Sequence, residues 1–126
     1  MKVTTTNYGN KKEILYFPDH YVALAVMVSD TGITANADGK KIVPAGTIVG
    51  GATKPVLTNI DEPVAKKNTQ DSTGDAAEGV LMNDVDVTYG PASGAMILHG
   101  YIKLGALPET PCADAVAALK QITFIK

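Results

Sequence analysis

The chain has no tryptophan, a single cysteine and two histidines, and aromatic residues make up 6% of its 126 positions. Each shortage excludes something. Cys112 alone cannot close an internal disulfide, so stability has to come from packing. Neither His20 nor His99 has a second His or Cys nearby at metal-ligand spacing, so no zinc-type motif is written in the sequence. Aromatics do not interleave with basic residues as an RNA-binding sheet requires. The longest apolar run, residues 21–28, is far below the roughly 20 residues of a membrane-spanning helix. No signal-type apolar run follows Met1 and Lys2, and the expectation is a soluble, unprocessed protein. A net charge of -2 argues against a dedicated nucleic-acid binder.

What is present is apolar, glycine-rich and strand-like. Apolar residues at 45% and charged residues at 19% describe an ordinary globular chain, and 12 Gly with 7 Pro suit short strands and many turns. The length fits one domain with a modest core.

The stretch 79–104 organises the reading. From Ala95 onward the sequence alternates: Met96, Leu98, Ile102 and Leu104 share one side, and Ile97, His99, Tyr101 and Lys103 the other. That is a half-buried strand with Met96 and Leu98 toward the core. Before it, Leu81, Val85 and Val87 alternate with Asp84, Asp86 and Thr88, with a bulge expected near Asn83 and Asp84. Residues 89–94 are turn chemistry, so 79–104 is expected to be two strands joined by a turn.

Elsewhere, residues 21–28 are apolar on both faces and suit a central or doubly covered strand. Asp38 and Gly39 predict a hairpin between strands at 33–37 and 40–43. Pro44 to Gly46 predicts a second tight turn, and Thr47 to Val49 a strand ended by Gly50 and Gly51. Residues 61–78 are polar, small and aperiodic, and are expected to form a long surface loop. Near the end, Thr110 is the expected N-cap and Pro111 the first residue of a short helix. Asp114 falls in its first turn and Lys120 in its last. Cys112, Ala115, Val116 and Leu119 form its apolar stripe. A final strand carries Ile122 and Phe124 inward. The fold class is therefore mainly β, a small β-rich α+β domain. Its core is an antiparallel or mixed sheet, or barrel-like, with one short C-terminal helix. Residues 18–126 form that domain, and 1–17 are expected to be a flexible arm.

The arm carries two readings. Its first twelve residues are polar and cannot pack alone. Residues 13–17 have strand composition, and an extended apolar piece behind a polar leader can add to a neighbour's sheet edge. The plainer alternative is a first strand of the home sheet with a frayed terminus.

Chemistry is sparse. Asp84 and Asp86 place two carboxylates on one strand face, a weak candidate for a cation and more simply two solvated acceptors. Cys112 lies where a helix N-terminus can activate a thiol, yet it shares the apolar stripe and has no adjacent base. The glycines from 46 to 51 and Lys54 lack phosphate-loop spacing. The expectation is no enzyme, no cofactor and no metal.

The order of features resembles a known family. The residues that carry it are Ile42 to Val49 (IVPAGTIV), Ala77 to Thr88 (AEGVLMNDVDVT) and Gly94 to Lys103 (GAMILHGYIK), followed by a short Ala-rich helix and a last strand. This pattern is similar to the lambda-type head decoration proteins of tailed phages and prophages of Gram-positive bacteria. The resemblance covers roughly residue 21 to the C-terminus. It implies a small β-rich domain that forms a homotrimer on the outside of the virion and cements the mature shell. It implies synthesis in the bacterial cytoplasm and no catalytic residues. The implied partners are the major capsid protein and the chain itself, with no direct nucleic acid and no membrane. The arm would pair with a capsid strand, which makes Val3, Tyr8, Ile14, Leu15, Tyr16 and Phe17 the partner-binding candidates. The long polar loop and the lack of Trp depart from the pattern. A small ligand- or glycan-binding β domain of a virion or prophage protein is the alternative.

Overall fold

The computed structural model describes residues 14–68 and 76–126. Among them the elements run β1 (Tyr21–Val28), β2 (Ile42–Val43), β3 (Ile48–Gly51), β4 (Val64–Lys66), β5 (Gly79–Leu81), β6 (Val85–Asp86), β7 (Ala92–Lys103), α1 (Ala113–Ala118) and β8 (Ile122–Ile125). The fold is mainly β, with a six-stranded sheet, a small second sheet and one short helix.

The large sheet closes on itself. β1 pairs antiparallel with β7, β7 with β5, β5 with β3 and β3 with β4. β4 then meets β1 in parallel through Val64 and Val28. Closure removes most of the free edge that a short-stranded sheet would otherwise expose. β8 adds to β7 in parallel, from Gly100 with Ile122 to Lys103 with Ile125. β2 and β6 form a separate antiparallel pair.

Alternation explains the two cores. Val26 and Val28 of β1, Val49 of β3, Val64 of β4, Leu81 of β5 and Met96 of β7 all join one buried cluster, which fills the ring. Val43, Val85 and Val87 extend that cluster through the small sheet. The opposite-facing Ile48, Val80 and Ile97 belong to a second cluster, covered by Ile14, Leu15, Ala115, Leu119 and Ile122. Each fully buried side chain of this size contributes about 1.5–3 kcal/mol.

A bulge sets the faces of β7. His99 pairs with Val22, but Ile97 pairs with Ala23, so Leu98 is the extra residue. Ile97 is fully buried and Leu98 only partly, which corrects the expected faces near this point.

Other expectations need correcting. Val80 and Leu81 do pair with Ile97 and Met96, but Val85 and Asp86 leave that ladder and pair with β2. The bulge expected near Asn83 is a bend that separates β5 from β6. The turn at Asp38 and Gly39 is present, with Gly39 at φ 75° and the Asn36 carboxamide oxygen accepting from the Asp38 and Lys40 amides. No strand occupies 33–37, because β2 takes its partner from β6 instead. Gly50 and Gly51 do not end β3; they pair with Ala65 and Val64. A Cβ on Gly51 would lie 1.6 Å from the Lys54 carbonyl oxygen, so glycine serves close backbone approach there. The expected loop at 61–78 contains β4, whose three residues are too few to show a period. The helix is shorter than expected: Cys112 is its N-cap, Val116 is 45% exposed and Lys120 lies beyond its last turn.

Ile14 and Leu15 already lie in the body, ahead of the expected domain start at 18. Leu15 bridges Ile102, the Tyr16 amide donates to the Tyr101 carbonyl at 2.8 Å, and the Lys103 amide donates to the Ile14 carbonyl at 2.7 Å. These residues continue along β7 where β1 stops.

Candidate functional site

Of the partner-binding candidates, Val3 and Tyr8 lie outside the described residues. Ile14 and Leu15 are buried in the home core at 0% and 2% exposure, so neither is free to anchor a partner. This corrects their assignment: the plainer alternative, a first piece of the home sheet, holds for these two residues. Tyr16 and Phe17 remain at the surface. The Phe17 ring meets Tyr16 at 5.0 Å and Tyr101 at 5.3 Å, both edge-on, so this aromatic elbow is preformed.

β1 follows directly. It turns Leu24, Val26 and Val28 toward the ring interior and leaves Ala23, Ala25 and Met27 exposed. Tyr21 and Val22 at its start are also exposed. The sequence suggests a central strand or one covered on both sides; among the described residues nothing covers its outward face at Ala23, Ala25 and Met27. Its exposed side chains are small or apolar: Val22, Ala23, Ala25 and Met27.

The two histidines, 79 residues apart in sequence, meet beside this elbow, with Nε2 atoms 3.1 Å apart. The β1–β7 pairing brings them together, because Val22 sits opposite His99 and His20 stands just before β1. His99 Nδ1 lies 2.9 Å from the Gln121 carbonyl oxygen. The two rings are 5.1 Å apart, and Tyr101 lies 5.8 Å from His20. No local spacing announced this pair; only the β1–β7 register would have.

The acidic pair is structural. Asp84 Oδ1 accepts the Ala45 amide at 2.7 Å. Asp86 Oδ1 accepts the Thr88 amide at 2.9 Å and the Thr88 hydroxyl as well. Those Thr88 bonds hold the Asp86 carboxyl below its ordinary range. The two carboxylates thus secure different loops, and among the described residues no group of three His, Cys, Asp or Glu side chains gathers to hold a metal ion. Cys112 is half-buried, and its Sγ accepts the Ala115 amide at 3.4 Å as the helix cap.

A carboxylate passed over in the sequence does more. Glu78 accepts from the Gly51, Val56 and Leu57 amides at 2.6, 2.8 and 3.1 Å, which binds the 51–57 turn to the start of β5. Its signal was the polar residue placed immediately before an apolar strand.

One cleft of about 310 Å³ opens between the 29–33 turn, β3 and Pro108, floored by Val28, Ile33 and Ile48. Several of its rim groups bond one another or nearby backbone. Lys66 pairs with Glu109, Asn68 donates to the Thr110 carbonyl at 3.1 Å, and the Thr47 hydroxyl donates to the Pro44 carbonyl at 2.7 Å. The Lys66 hydrogen bond holds the Glu109 carboxyl below its ordinary range.

Compared with protein-family models and with curated proteins, the chain matches none. No helix among the described residues is long and apolar enough to cross a membrane.

Proposed function

We propose that this chain is a structural rather than catalytic protein, which binds the outside of a tailed-phage capsid as a trimer and stabilises the mature shell. The observation that carries the reading is the uncovered outward face of β1, with Ala23, Ala25 and Met27 in solvent beside the Tyr16 and Phe17 elbow. A sheet face of this composition gains by being covered, and a homotrimer covers one such face on every copy. The resemblance of residues 42–49, 77–88 and 94–103 to phage decoration proteins supplies the partner and the copy number. Made in the host cytoplasm, such a protein acts on the virion exterior, away from packaged DNA.

Attachment in this reading uses the residues before Ile14 together with Tyr16 and Phe17, since Ile14 and Leu15 are committed to the core. Contacts made only with the mature lattice would favour that state over its precursor. The glycan-binding alternative gains little from the cleft, whose rim groups bond one another.

Light scattering tests the assembly and co-sedimentation tests the attachment. A species of about 39 kDa, three times the 13.1 kDa chain, is expected. The full chain should pellet with expanded capsids and a chain lacking residues 1–12 should not. A monomer in solution, or equal pelleting of both chains, overturns the reading.

A further inference from the structure

We propose that His20 and His99 form a two-nitrogen binding site for a borderline transition-metal dication of the zinc, nickel or copper class. This is independent of shell attachment. Imidazole nitrogen suits these ions, whereas oxygen-seeking magnesium and calcium prefer carboxylates.

The geometry is close to that of a bound pair. Two metal–nitrogen bonds of about 2.05 Å meeting at the tetrahedral angle place the nitrogens about 3.3 Å apart and the ring centres about 5.2 Å apart. The histidines show 3.1 Å between Nε2 atoms and 5.1 Å between ring centres. An ion therefore enters with ring rotations and little backbone movement.

The protonation pattern is already half set. A carbonyl oxygen only accepts, so His99 Nδ1 carries the proton that it donates to Gln121, and His99 Nε2 presents a lone pair. Fixing a ligand's far nitrogen on a backbone carbonyl is how protein metal sites orient imidazole. Without metal, His20 Nε2–H donates to that lone pair. With metal, the His20 proton moves through solvent to its own Nδ1, and both Nε2 lone pairs face the ion. This exchange of tautomers moves one proton within His20 and releases none. Water completes the coordination, so affinity is modest and exchange is fast. His20 closes the turn after Phe17, its amide donating to the Phe17 carbonyl at 3.1 Å. An ion here would tie the aromatic elbow to β7 and to the start of β8.

The chain contains only these two histidines, which makes the test clean. The full chain is titrated with Ni²⁺ and Zn²⁺ in a non-chelating buffer, beside His20→Ala, His99→Ala and the double variant, each checked for folding by its amide spectrum. One ion per chain is expected, weakened about tenfold or more by either single change and abolished at that site by both. Uptake by the terminal amine or surface carboxylates is what the double variant reports. On the unmodified chain, ¹⁵N correlation spectra should show His99 protonated at Nδ1, and Zn²⁺ should shift both Nε2 resonances together. Equal uptake by wild type and double variant, or a Zn²⁺ response in only one ring, overturns the proposal.

Discussion

Ile97 and Ile102 lie in one strand, five positions apart, and bury into the same apolar cluster. Strict alternation would send them to opposite faces. The extra residue at Leu98 restores them to one side, and it leaves Leu98 itself half-buried. Ile97→Ala should therefore cost about 2–5 kcal/mol, and Leu98→Ala clearly less. Urea unfolding midpoints of the two variants check the order.

Ile14 and Leu15 make the start of the described chain part of the fold. Ile14→Ala and Leu15→Ala should each destabilise by about 2–5 kcal/mol. Tyr16→Ala and Phe17→Ala, at exposed positions, should cost far less. Thermal melts that rank all four equally would contradict the burial at 0% and 2%.

Glu78 satisfies three amides, two of them on the buried residues Gly51 and Val56. Glu78→Ala leaves those donors without their acceptor and should cost about 1.5–3 kcal/mol. Amide hydrogen exchange should accelerate first at residues 51, 56 and 57.

A Cβ on Gly51 would collide with the Lys54 carbonyl, whereas one on Gly105 meets nothing within 4 Å. Gly51→Ala should destabilise by about 3 kcal/mol or more, since backbone has to move. Gly105→Ala should be close to neutral, and the contrast is read from denaturant midpoints.

Among the described residues three carboxyls are depressed: Glu109 by Lys66, Asp86 by Thr88 and Glu62 by the Thr53 hydroxyl and amide. The unfolded chain takes up protons at them first as pH falls. Their stabilisation is complete above the ordinary value of 4.5 for glutamate and 3.8 for aspartate, and is lost as pH drops through the folded values. Melting temperature should be flat near neutrality and fall in acid. Glu109→Gln should flatten part of that fall, by a small amount because both Lys66 and Glu109 are half exposed.

The sequence by itself determined the β class, the strand at 95–103, the doubly apolar character of β1 and the turns at Gly39 and Gly46. These rest on local rules: alternation, turn residues and composition act within a few positions. Tertiary structure decided who pairs with whom. β6 exchanges β5's ladder for β2, β4 emerges from a polar stretch, Gly50 and Gly51 sit inside a strand, and His20 meets His99. Each depends on contacts between segments far apart in the chain. The free energy of those contacts comes from closing one ring around Val28, Val49, Val64, Leu81 and Met96, which no local window contains.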